Sequence, residues 1–207
     1  LNEAIPVCEE SLIFSNKISS FLYINVKNNF HVNRIILTNY VIVSTSIRIR
    51  DISVIFDRCT IINTTVIANG TSKQVMVFNN TVIAGMSNAQ IMIRNYHSME
   101  FLNSSFAGAN DNNANKVSIN VFNVKHINIQ NSAFFKCLSP ILLLKYCIEF
   151  NIRESKFINN KIRSSALLSF QKIKHVQSLN CTFLKNIMYK SRKLIIYKIV
   201  DYIVNFN

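Results

Sequence analysis

Ten carboxylates, four histidines and five cysteines are the residues of this 207-residue chain with chemistry of their own. Carboxylate-driven glycoside cleavage needs a close pair, one group to protonate the leaving oxygen and one to activate water or attack. Asp51 and Asp57 lie near each other in sequence. On a continuous strand they would stand about 20 Å apart at ~3.3 Å per residue, too far for that work. Asp111, in the polar stretch Asn110-Asp111-Asn112-Asn113, offers a cation a single carboxylate where hard cations take several oxygens. His31, His97, His126 and His175 have no Ser or Cys partner that the sequence can place. Cys8, Cys59, Cys137, Cys147 and Cys181 form no CxxC pair and no zinc spacing, and read as small buried hydrophobes. These residues point to no catalytic group, no metal site and no cofactor in this stretch.

Charge is the stronger signal. Net charge is +13, and it is uneven: residues 1–110 carry eight Lys/Arg and six Asp/Glu, residues 111–207 fifteen and four. The basic candidates are Lys125, His126, Lys172, Lys174, His175, Lys190, Arg192 and Lys193. Such a field attracts an anionic glycan or an acidic protein surface, including other chains of an assembly. Nucleic acid is disfavoured, because no recognised binding motif accompanies the charge and the Phe residues point inward. No apolar run reaches the roughly 20 residues of a membrane-spanning helix. Asn63, Asn69, Asn79, Asn103 and Asn180 head Asn-x-Ser/Thr sequons, glycan acceptors in a secreted protein.

The elements that must position these groups follow from a recurring phrase: NSSFAGA (103–109), NSAFFKC (131–137), ESKFINN (154–160) and NCTFLKN (180–186). Apolar anchors recur at Ile42, Ile61, Val82, Phe106, Phe134, Phe157 and Phe183, each three residues after Asn39, Arg58, Asn79, Asn103, Asn131, Glu154 or Asn180. Seven residues before each anchor the chain is always apolar; five before, it is apolar in all but Ser178. Polar residues such as Glu100, Asn128 and Asn151 fall between. Period-two alternation makes each stretch a strand with one buried face, and recurrence at 19–28 residues makes the array a solenoid. Further apolar runs at 90–93, 117–121, 141–144 and 166–168 supply another strand per turn. The spacing predicts an all-β, right-handed parallel β-helix of about eight rungs over residues 21–207. Residues 1–20 read as an N-terminal segment or cap, and the whole as a piece of a longer chain. The phrase itself reads as a corner, with Asn turning the chain and Phe re-entering the core.

The phrase Asn180-Cys181-Thr182-Phe183-Leu184-Lys185-Asn186 resembles the β-helix repeats of protist and bacterial polymorphic surface proteins, within the pectin-lyase-like superfold. The resemblance implies a rigid, non-catalytic rod that is structural or adhesive, at the cell surface or outside the cell. Two other readings stand beside it. One is a polysaccharide lyase or hydrolase whose catalytic rungs lie outside this stretch, and the other is a structural subunit of a large intracellular complex. A leucine-rich-repeat solenoid, with an overlapping period, is the alternative fold. One outward position is apolar at Ile36, Ile55 and Met76 before turning polar at Glu100, and such a strip calls for a cover from residues 1–20 or a partner chain.

Overall fold

The computed structural model describes residues 10–15, 18–19, 32–43, 46–85, 91–108, 118–162, 166–189 and 194–204. The protein is a parallel β-solenoid of about six turns, a little short of the eight rungs counted in the sequence. Among the described residues there is no helix, which removes the leucine-rich-repeat alternative.

Each turn lays down three strands on three faces. The first face stacks Val32–Thr38, Ser53–Asp57, Val75–Asn79, Ser98–Leu102 and His126–Gln130, then the C-terminal halves of Leu142–Arg153 and Leu168–Leu179. Glu10–Ser15 pairs onto Val32–Thr38 in the same parallel sense. The second face stacks eight three- or two-residue strands from Ile18–Ser19 to Thr182–Leu184. The third stacks Ser46–Arg50, Thr65–Asn69, Ile91–Arg94 and Ile119–Phe122, then the N-terminal halves of the two long strands and the first part of Ile195–Val204, whose last residues continue onto the first face. The apolar runs near 91, 119, 142 and 168 are therefore the third face. Because the long strands pass through the corner between the third and first faces, those faces merge into one 13-stranded sheet.

Inward side chains stack on their equivalents in the next turn, so like meets like. Phe56, Phe78 and Phe101 stack with centroids 5.1 and 4.7 Å apart and rings within 12° of parallel. On the second face Phe134, Phe157 and Phe183 do the same, at 4.8 Å per step. Each such contact adds about 0.5–1.5 kcal/mol beyond the area it buries, which is the physical reason the Phe recurs.

The corners explain the rest of the phrase. Asn39, Arg58, Asn80, Asn103, Asn131, Glu154 and Asn180 all have φ between 48° and 57°, the left-handed region that Asn tolerates best after Gly. In that conformation the amide points up the stack: Asn103 N–H donates to Gln130 C=O and Glu154 N–H to Leu179 C=O, at 3.0 and 2.9 Å. The next residue turns inward and, except for Tyr40 after Asn39, is small and protic: Cys59, Thr81, Ser104, Ser132, Ser155, Cys181. Ser132 Oγ donates to Gln130 C=O (2.9 Å) and accepts from Ser104 N–H (3.2 Å). Ser104 Oγ in turn accepts from Thr81 N–H at 3.0 Å. A buried hydroxyl and thiol spine thus satisfies backbone groups that a bent chain leaves unpaired. The closing Asn of the phrase does the same at the second corner. Asn160 Nδ2 donates to Phe134 C=O (3.1 Å) and Asn186 Nδ2 to Phe157 C=O (2.8 Å). A third corner carries left-handed Asp51, Asn95, Asn123, Tyr146 and Lys172.

One rung differs from the sequence-based register. The anchor is Ile83, paired with Ile61 and Phe106, and not Val82, which is 43% exposed. The left-handed corner is Asn80, not Asn79. Met76 and Phe78 are inward, and Met76 leaves the outer strip for the core. In Val75-Met76-Val77-Phe78 every residue is apolar, so alternation cannot choose a face, and a one-residue slip exchanges all of them. The stack of Phe78 between Phe56 and Phe101 decides it. The outer strip is Ile36, Ile55 and Val77, all half-buried, followed by Glu100.

Candidate binding face

The cysteines take structural places. Cys59 Sγ donates to Leu37 C=O at 3.1 Å and Cys147 Sγ to Lys145 C=O at 3.3 Å, and Cys137 is buried beneath the second corner. Burial pushes the Cys147 thiol up to about 11 and that of Cys137 up to about 12, keeping both protonated and unreactive. Cys181 is partly buried in the same spine as Cys59, and Cys8 lies outside the described residues.

The basic residues named from sequence divide. Lys190, Arg192 and Lys193 lie outside the described residues. Lys125, His126, Lys174 and His175 sit where the third corner enters the first face, with His126, Glu149 and His175 on one ladder. His126 Nδ1 lies 3.0 Å from Glu149 Oε2, and its ring is 5.2 Å from that of His97. Hydrogen bonds from Asn151 and His126 hold Glu149 below the usual carboxylate range. Among the described residues no group of three His, Cys, Asp or Glu could hold a metal ion. Asp57 pairs with Arg58 at 2.9 Å and accepts from Asn79 Nδ2 at 2.8 Å, while Asp51 is an exposed corner residue.

Lys172 belongs to a different constellation. It caps the third corner, with Nζ 4.9 Å from the centre of the Tyr146 ring, and Tyr146 meets Phe122 edge to face at 5.0 Å. Phe122 continues a column up the third face: Arg50, Asn69, Arg94, Phe122, Lys145, Gln171, Lys198. Seven rungs at about 4.8 Å make this column roughly 29 Å long. Beside it runs a second outward column that includes Arg48, Ile67, Met92 and Leu143. The two enclose a groove of about 730 Å³ lined by Arg48, Arg50, Arg94, Ile67, Met92 and Phe122, with Asn69 and Asn95 at its edge. No carboxylate is among the described residues lining it. A smaller hollow of about 170 Å³, between Tyr146, Gln171, Lys172 and Lys198, continues the same face.

Three guanidiniums converge here over a half-apolar floor. Strands force that convergence, because residues i and i+2, such as Arg48 and Arg50, share a face, and parallel in-register pairing places Arg94 two rungs from Arg50. Arg presents a rigid donor fork suited to carboxylate, sulfate or phosphate. The sequence reading missed these residues because it followed the charge of the C-terminal half, whereas all three arginines of this groove belong to the nearly neutral N-terminal half. A signal was present. Counting back twelve residues from the following anchors Phe106, Phe134, Phe157 and Phe183 gives Arg94, Phe122, Lys145 and Gln171. For Ile61 and Ile83 the intervals to Arg50 and Asn69 are eleven and fourteen, which hides the column.

Compared with known proteins, the chain matches no family model, no curated protein and no solved structure.

Proposed function

We propose that this chain is a non-catalytic binding rod. It is a rigid solenoid segment, structural or adhesive, that holds an anionic partner along its third face. The observation that carries the reading is the groove of Arg48, Arg50 and Arg94, free of lining carboxylates and floored by Met92 and Phe122. Parallel rungs make the face repetitive, so a polymeric partner meets similar donors turn after turn. The basic surface as a whole raises the local concentration of polyanions and speeds their arrival.

A place at the cell surface agrees with the sequons. Asn63, Asn103 and Asn180 are exposed left-handed corner residues whose side chains face outward. Asn79 is different, since its Nδ2, the atom a glycan would take, already donates to Asp57. Peptide mass mapping of the protein from its natural source should find glycans on the first three before Asn79.

The test of binding is retention on immobilised polyanions at physiological salt, followed by size analysis of the polymer after prolonged incubation. Retention that falls with salt, with the polymer left intact, is the expected result. Failure to bind any polyanion, or shortening of the polymer, overturns the proposal.

A further inference from the structure

Along the second face one outward column is apolar in every rung from Val43 to Leu184. The column beside it, from Val41 to Thr182, carries a single charge, Lys156. The other faces differ. The outer first face turns polar at Glu100, Asn128 and Asn151, and the third carries Arg48, Arg50 and Arg94. Every described strand belongs to a face or to the short pair Lys161–Ile162 and Ile187–Met188 beyond the second corner, so none lies over this strip. Val82 is 43% exposed there and Leu184 49%. A chain of net charge +13 thus keeps one face nearly free of charge, and an apolar strip of that length is an interaction surface.

The strip is complementary to itself. A two-fold axis along the strand direction at Ala107 brings a second copy face to face, with its solenoid axis reversed. Phe135 of each copy then meets Ala84 of the other, Ile158 meets Ile62, and Leu184 meets Val43. In the neighbouring column Val82 meets Ala133, and Lys156 meets Thr60. The projecting Phe135 and Val82 therefore fall opposite alanines, as close packing requires. A two-fold along the solenoid axis would instead set Phe135 on Phe135 and Ala84 on Ala84.

The rim agrees with the floor. The first corner is asparagine at Asn39, Asn80, Asn103, Asn131 and Asn180, and it breaks at Arg58 and Glu154. These two stand symmetrically, two rungs to either side of Asn103. The same axis sets Arg58 of each copy against Glu154 of the other. Within one chain they are four rungs apart, about 19 Å, and do not meet. Glu154 has no ionic partner among the described residues.

We infer that the second face is a self-association surface, through which two copies of this chain pair antiparallel about an axis at Ala107. The face is about 10 Å wide and 29 Å long. With both corners the contact buries on the order of 1,000 Å² in total, the lower end of specific interfaces, so the dimer is reversible and micromolar. The third face stays free in the pair, and the inference does not depend on the binding-rod reading.

The experiment is sedimentation equilibrium of the whole chain over roughly 1–200 µM, a range that brackets a micromolar dissociation constant. The mass should rise from 23.8 kDa towards twice that value. R58E and E154R, each alone, should weaken the dimer by about tenfold or more by setting like charges together. An equal mixture of the two should restore it, because every rim contact is again between opposite charges. A107E, which sets two carboxylates on the axis, should abolish it, and K125Q/K174Q, on another corner, should change nothing. Thermal midpoints check each fold. A84F and F135A form a second pair, each weak alone and restored on mixing, which keeps the test if a charge reversal disturbs the fold. A chain that stays at 23.8 kDa throughout overturns the inference. So does a dimer that survives A107E, or single variants that bind no better mixed than apart.

Discussion

Replacing Phe134 with Ala tests whether the stacked core holds the solenoid together. Phe134 is 1% exposed and touches three other rings: Phe157 at 4.8 Å and nearly parallel, Phe106 at 5.9 Å, and Phe101 edge-on at 6.3 Å. The lost ring removes about 150 Å² of buried apolar surface, roughly 4 kcal/mol at ~25 cal/mol per Å². This agrees with the roughly 3–5 kcal/mol typical of buried Phe→Ala changes. Phe134→Leu keeps most of the volume and loses the stack, so it should cost about 1–2 kcal/mol. In a solenoid each turn touches only its neighbours, so the damage should spread through the adjoining rungs first. Urea titration followed by circular dichroism gives the total, and hydrogen exchange at the amides of Phe106 and Phe157 gives its spread. A Phe134→Ala loss below about 1 kcal/mol would refute the reasoning, because a void of that size cannot close cheaply in a packed interior. So would a Phe134→Leu loss equal to that of Phe134→Ala.

Ser178 is 1% exposed and its Oγ has no hydrogen-bond partner, so Ser178→Ala should stabilise the chain by about 1 kcal/mol, read as a higher urea midpoint. Glu154 sits at φ 51° in a column of Asn residues, and Glu154→Asn should add about 1 kcal/mol by easing a strained backbone; a lower midpoint would contradict the corner argument. Ser132→Ala should cost about 1–3 kcal/mol by orphaning the Ser104 amide, whereas Ser132→Cys, matching Cys59 and Cys181 in the same spine, should cost less. The Cys147 thiol stands at about 11 in the fold against 9.0 in the open chain. Its contribution to stability is therefore whole below pH 9 and lost as pH rises towards 11. Cys147→Ser should flatten that alkaline decline in the urea midpoint, and an unchanged decline would assign it to other groups.

Much of the fold was legible because a parallel stack repeats its environment every turn. Asn103, Asn131 and Asn180 recur because one backbone conformation recurs, and Phe106, Phe134, Phe157 and Phe183 recur because each ring packs on the next. Even the link of His126, Glu149 and His175 follows from counting eight residues before each anchor. The roles of the second corner's Asn160 and Asn186, and of the hydroxyl spine, needed coordinates. Asn, Ser and Thr at a turn can each bond in several local ways, and only the position of the next rung selects one.

The sequence by itself determined the solenoid, the strand faces wherever polar and apolar residues alternate, and one column of corners. Tertiary structure alone decided the face of Met76 and Phe78, because four consecutive apolar residues satisfy either register and only the stacked Phe56 and Phe101 break the tie. It also decided where the charge matters. Arg48, Arg50, Arg94 and Phe122 come from three turns whose connecting segments differ in length, so their offsets along the chain do not repeat. They converge because hydrogen bonds between rungs, and not sequence spacing, set which residues become neighbours on a face.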